Sequence, residues 1–206
     1  MLPQSIVAIG ASTFFGRVDP EGGGYIGRLK TWHESNHRKN RVYNLGISSE
    51  TSTDLLRRLT SECTPRKPDL IILGASSNDA RRVGTNDAPC ETPIDQYAEN
   101  LMELIGQALS LCPVLVMIGH PIDEKHTNPV RGTNKYFSKT DLEKYFDVAR
   151  NICQKENVPC LDIFKELVDT DYKNGLSDDG LHPNALGHQT IFEILRKYLL
   201  SHFEVK

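Results

Sequence analysis

Short apolar runs alternate with segments of helical period along this chain of 206 residues, and that alternation constrains the fold more than any other feature. Ser5–Ile9 is a β-leaning run that stops at Gly10, and Arg41–Gly46 reads as a second strand. Pro68-Asp69 introduces Leu70–Leu73, a run suited to a strand buried on both faces. Pro113–Ile118 is a fourth strand, and Val158–Ile163 contains a fifth. Between them, Tyr25 to His37 sets Tyr25, Ile26, Leu29 and Trp32 near one helical face, and Thr51 to Thr60 does the same with Leu55, Leu56 and Leu59. Ile94 to Leu111, Thr140 to Glu156 and Ala185 to His202 read as further helices, with one or two helical turns at Phe164–Val168. This order predicts an α/β fold, a parallel sheet with helices on both faces.

The polar loops after the first, third and fourth strands then carry weight. In such a sheet the loops at the C-terminal strand ends hold the site. Ser12, Asn78 and His120 fall in those loops and are expected at one edge.

Length predicts a single domain spanning 1–206, large enough for a proper core. With 24 Lys+Arg against 27 Asp+Glu the net charge is −3. A pI near 6.2 gives no global attraction to nucleic acid or to an anionic membrane. No apolar run approaches the roughly 18 residues of a membrane span. The first residues, Met-Leu-Pro-Gln-Ser, lack the basic start of a secretory signal. Five cysteines, an odd number with no C-x-x-C spacing, read as reduced thiols. A cytoplasmic location is the expectation, and the oligomeric state is not readable.

Chemistry concentrates at few positions. A serine hydroxyl is a poor nucleophile unless a base takes its proton, and Ser12 needs such a base from another loop. Imidazole suits that task near neutral pH, with a carboxylate to hold its tautomer. Asp179-Gly180-Leu181-His182-Pro183 offers both at a spacing a turn can close, with a periodic helix behind it. Asp123 and His126 share the spacing but lie in a polar loop without an apolar anchor, and read as solvated surface. Gly46, at the end of the second strand, and the amide of Asn78 are candidate donors to a developing oxyanion.

In this order the positions resemble the four blocks of the SGNH, or GDSL-type, esterase/lipase superfamily. The first block resembles Ile9-Gly10-Ala11-Ser12, continued by Asp19-Pro20-Glu21-Gly22-Gly23-Gly24. The second resembles Asn44-Leu45-Gly46-Ile47, the third Ser76-Ser77-Asn78-Asp79, and the last Asp179-Gly180-Leu181-His182-Pro183-Asn184 followed by Gly187-His188. The resemblance spans Ile6 to about Leu199. It implies a three-layer αβα sandwich with a five-stranded parallel sheet, flavodoxin-like, without metal or organic cofactor. It implies a serine esterase acting through an acyl-serine intermediate on short-chain esters, acetyl among them, of a small or carbohydrate substrate. Ser12 would be the nucleophile, His182 the base and Asp179 its orienting acid. The Ser12 N–H, the Gly46 N–H and the Asn78 side chain would form the oxyanion hole. The chain departs from the family at Ala11, where an acid is usual, and at Ser49 and Ser76, where glycine is frequent. These departures favour, as the alternative, a weakly active relative that binds an acylated or carbohydrate ligand.

Other signals are weaker. His120-Pro121, after the fourth strand, is a candidate for the substrate pocket. His33-Glu34-Ser35-Asn36-His37 matches H-E-x-x-H, but its cationic end, His37-Arg38-Lys39, complements a helix dipole rather than Zn²⁺. Arg81-Arg82 reads as a surface pair, with contact to an anionic substrate group as the alternative.

Overall fold

The computed structural model describes residues 2–75 and 77–203. In chain order the elements are β1 (Ser5–Gly10), α1 (Ser12–Phe15), α2 (Gly24–Asn36), β2 (Arg41–Gly46), α3 (Ser52–Cys63), β3 (Leu70–Gly74) and β4 (Arg82–Val83). There follow α4 (Ile94–Leu109), β5 (Val114–Ile118), β6 (Lys135–Tyr136), α5 (Lys139–Lys155), β7 (Cys160–Asp162), α6 (Ile163–Leu167) and α7 (Ala185–His202). Five strands form one sheet in the order β2-β1-β3-β5-β7, and every neighbouring pair is parallel. The expected αβα sandwich is therefore the observed one.

Alternation along β1 assigns the two helical layers. Ile6 and Ala8 join the cluster built by Tyr25, Ile26 and Leu29 of α2 and by Ile191, Leu195 and Leu199 of α7. Val7 and Ile9 face the opposite cluster, which draws on α3, α4 and α5. Leu70–Leu73 of β3 are wholly buried, because the central strand has a helical layer on each face. Each such aliphatic side chain contributes about 1.5–3 kcal/mol on leaving water.

Caps fix where the loops end. Thr51 and Asp54 form a reciprocal capping box at the start of α3. Ser138 accepts the Asp141 N–H at the head of α5, and Asn184 accepts the Gly187 N–H at the head of α7. Two features exceed the expectation. Ser12–Phe15 forms a single helical turn, and β4 pairs with β6 as a small antiparallel ribbon (Arg82↔Tyr136, Val83↔Lys135). No helix among the described residues is long and apolar enough to cross a membrane.

Candidate active site

Ser12 stands directly after β1, at the start of α1. Glycines at two strand ends put it there. A Cβ on Gly10 or on Gly74 would lie 2.6 Å from the Phe14 ring, so only glycine leaves room for that ring over the ends of β1 and β3. Asn44, on β2, donates to the Phe14 carbonyl at 2.7 Å and accepts the Gly46 N–H at 2.9 Å. Phe14 and Asn44 thus hold α1 down where the family's acid is absent at Ala11. The Ser12 N–H heads α1, and the first amides of a helix find no acceptor within it.

The loop before α7 brings the partner groups. Ser12 Oγ lies 3.0 Å from His182 Nε2, and His182 Nδ1 lies 2.6 Å from Asp179 Oδ2. The second carboxylate oxygen, Oδ1, accepts from Ser177 Oγ and from the backbone N–H groups of Leu181 and His182, at 2.7–2.9 Å. Burial alone raises an aspartate's pKa. The hydrogen bonds from His182, its charge and the Ser177 hydroxyl outweigh that effect and hold the carboxyl well below the usual range. A carboxylate so held fixes a proton on Nδ1, which leaves Nε2 as the acceptor facing Ser12.

Gly180 (φ +68°) gives this loop its turn. A Cβ there would lie 2.7 Å from His126 Cβ and 2.8 Å from the Asp123 carbonyl oxygen, and the Asp123 N–H donates to the Gly180 carbonyl at 2.8 Å. The Asp123–His126 pair, expected as plain solvated surface, therefore buttresses the loop that carries Asp179 and His182. Its side chains still meet each other, with His126 Nδ1 3.1 Å from Asp123 Oδ2.

Asn78 enters from the loop after β3. Its Nδ2 donates to the Glu50 carbonyl at 2.8 Å, which sets the plane of an NH₂ group carrying two donors. The neighbouring Asp79, fully buried, accepts the Ser52 N–H at 3.0–3.1 Å and the Ser52 hydroxyl at 2.6 Å, tying this loop to the head of α3. Ser76 lies outside the described residues.

The expectation for Gly46 needs correction. Its N–H is engaged by Asn44, and the residue does not line the cavity at Ser12. Glycine is required there for another reason: a Cβ would lie 2.2 Å from the Phe15 nitrogen, inside α1. Three residues on, Ser49 holds φ +73° and does line the cavity with Ser48, Asn78 and His182. Few non-glycine residues adopt that backbone, which accounts for the glycine the family frequently carries at this position.

Two hollows meet at Ser12 and His182. One is a recess of about 50 Å³, walled by Phe14, Tyr25, Met117, Ile163 and Ile191. His120 lines it too. Its Nδ1 donates to the Pro121 carbonyl at 2.9 Å, and burial pushes its pKa down to about 4, so it is a neutral ring near pH 7. The other hollow, about 320 Å³, opens toward Ser48, Ser49 and the 130–135 segment.

His188, quoted in the last block without a role, is a buried bolt. It accepts the Tyr25 N–H on Nδ1 at 3.2 Å and donates from Nε2 to the Arg17 carbonyl at 3.0 Å, joining α7 to α2 and to the chain after α1. Asp19 accepts the Gly22 and Gly24 N–H groups and pairs with Arg28, which explains the Asp-Pro-Glu-Gly-Gly-Gly stretch. The H-E-x-x-H residues serve structure. The His33 ring is buried with Nε2 3.3 Å from the Gln4 carbonyl, and Glu34 accepts the Val42 N–H and pairs with Lys30. Among the described residues no group of three His, Cys, Asp or Glu is placed to hold a metal ion.

An acetylxylan esterase from Geobacillus stearothermophilus is 27% identical to the chain over 207 residues, covering 91% of this chain and 90% of that one. A lipase/acylhydrolase structure from Enterococcus faecalis superposes with a TM-score of 0.77 at 22% identity, covering 98% of this chain and 97% of its own. A catalytic mutant of an acetylxylan esterase from G. stearothermophilus gives 0.75 at 21% identity, covering 98% and 95%. These likenesses carry the SGNH sandwich. The profile of the GDSL-like lipase/acylhydrolase family matches residues 8–190, a span that runs from β1 into α7 and takes in every position of the Ser12–His182–Asp179 array. By that match the chain belongs to the GDSL-like lipase/acylhydrolase family and is a carboxylic ester hydrolase.

Proposed function

We propose that the chain cleaves short-chain acyl esters, acetyl esters first, of a small or carbohydrate alcohol, through an acyl-Ser12 intermediate. One observation carries the reading: the hydrogen-bonded series Ser12–His182–Asp179 opens onto a small apolar recess. A recess of about 50 Å³ suits a methyl-sized acyl chain better than a long one. The curated relative named acetylxylan esterase supports acetyl as the group and a carbohydrate as its carrier.

The steps follow from the donors and acceptors. Ser12 Oγ bonds to the ester carbonyl carbon while its proton passes to His182 Nε2. The carbonyl oxygen takes the negative charge, stabilised by the Ser12 N–H and the Asn78 amide. Ser49, rather than Gly46, supplies the further backbone N–H in this reading, because it lines the same hollow in a left-handed turn. The tetrahedral centre collapses, the C–O bond to the alcohol breaks, and His182 returns its proton to the leaving alcohol. Water then attacks acyl-Ser12 with His182 again as base, releasing the acid and regenerating the serine.

Fluorophosphonate labelling with peptide mapping, run beside p-nitrophenyl acetate and butyrate hydrolysis, tests this. The expected result is one adduct, on Ser12, acetate preferred to butyrate, and a loss of at least about 10³-fold in kcat for Ser12→Ala. Folded protein that takes no label would reject the nucleophile and turn the search to ligands of a weakly active relative.

A further inference from the structure

The larger hollow in front of Ser12 is cationic in a chain whose net charge is −3. Arg17, Arg81, Arg131 and Lys135 line it, contributed by three separate parts of the chain: the stretch after α1, the loop after β3 and the segment leading into β6. Among the described residues the only carboxylate lining it is that of Asp179, which is committed to His182. Of the four cations, Arg81 is paired with Glu91. Among the described residues, no ion pair joins Arg17, Arg131 or Lys135 to a carboxylate. The Lys135 ammonium donates instead to the Ser49 hydroxyl at 3.2 Å, and the β4–β6 ribbon holds it in place. Burial, and then the positive charge of Arg81 and Arg17, press the Lys135 pKa below its ordinary value, against the opposing pull of Glu91. Cations that crowd one another in a concave site create a positive potential that an anionic ligand relieves. The acyl recess beside it, by contrast, is lined by no Lys, Arg, Asp or Glu among the described residues.

We propose that the natural substrate is an ester whose alcohol part bears an anionic group (carboxylate, sulfate or phosphate), held by Lys135, Arg131 and Arg17 while the acyl group occupies the neutral recess. This rests on the reading of Ser12 as the nucleophile and names the substrate class of that same site. The arrangement divides labour by charge. The recess selects acyl length, and the cationic hollow selects and orients the alcohol. It also sets the direction of product release, since the anionic alcohol leaves first, through the wider hollow.

Matched acetyl esters test the proposal: 4-acetoxybenzoate, 4-acetoxyphenyl phosphate and the neutral methyl 4-acetoxybenzoate, each kcat/KM normalised to that ester's own hydroxide-catalysed rate. The expected result is a preference of at least about tenfold for one or both anionic esters, carried mainly by KM and shrinking as salt rises from about 0.02 to about 0.5 M. The two anionic arms separate a carboxylate from a phosphate ligand. Arg17→Gln/Arg131→Gln, at exposed positions, should cut the anionic-to-neutral ratio at least about fivefold, and Arg131→Glu should cut it further. Lys135→Gln should lower the same ratio. Equal rates on charged and neutral esters, or a ratio untouched by the variants, would overturn the proposal while Ser12 labelling and neutral-ester turnover left the esterase reading standing. Absence of labelling and of all turnover would remove both.

Discussion

Asp179 accepts four hydrogen bonds, and three of them come from the turn and side chain of the loop it sits in. Its charge therefore organises the loop as well as the imidazole. Asp179→Asn keeps the size but places an amide where a carboxylate accepted the His182 Nδ1 proton. The ring then takes the other tautomer, with the proton on Nε2, and cannot accept from Ser12. We expect kcat on p-nitrophenyl acetate to fall about 10⁴-fold with KM little changed, the loss found when a triad aspartate becomes asparagine. A loss below tenfold would show that His182 works without its orienting acid. At this scale strand order sends Ser12, Asn78 and His120 to one edge, whereas Asp179 and His182 stand out through their loop's context and the family resemblance; the structure brings Ser12, His182 and Asp179 into one hydrogen-bonded series. The sequence misled at Gly46. What a glycine's N–H faces depends on its neighbours in space, and Asn44 had claimed that group. Ser49 was visible only as a departure from glycine, since a left-handed serine carries no signature in the sequence.

At the scale of elements, periodicity revealed what is long enough to repeat. Strands of five or six residues and helices of twelve to eighteen appeared within three residues of their bounds. The four-residue α1 and the two-residue strands β4 and β6 did not, because one turn or one residue pair has no period. In the sequence the 119–138 loop reads as a polar loop at the site edge, with His120 as its candidate residue and Asp123–His126 as solvated surface. Its Asp123–His126 turn instead braces Gly180, and its β6 carries Lys135 to the site. This bracing can be tested through Gly180→Ala. A left-handed φ and contacts under 3 Å both oppose the new methyl. We expect a destabilisation of about 2 kcal/mol in urea unfolding. We also expect a fall in kcat larger than that stability loss explains at temperatures where the protein remains folded. An unchanged kcat would show that the Asp123–His126 turn does not position His182.

For the whole molecule, three buried histidines couple stability to pH. His33, His120 and His188 all have their pKa lowered by burial, His120 from 6.5 to about 4. Each serves as a neutral hydrogen-bonding strut: His33 to the strand entering the sheet, His188 between α2 and α7, His120 beside the recess. The unfolded chain protonates these rings near pH 6.5, while the folded protein resists until lower pH. Between those limits the unfolded state binds more protons, so stability falls as pH falls. His120 alone accounts for a loss on the order of 3 kcal/mol between pH 7 and 4. Asp19, Asp141 and Asp179 act in a second, lower window. Their folded pKa values are depressed, so the stability they add is present above the usual carboxylate range and is lost as pH drops through their folded values. Urea unfolding at pH 7, 6 and 5 should therefore show a steady decline, steepening below pH 4. His120→Gln should remove about one proton from the slope between pH 6.5 and 4.5, whatever it does to stability at pH 7. A slope that stays the same would mean that the folded protein already admits a charged His120 beside His182, and that the recess is wetter than its apolar walls imply.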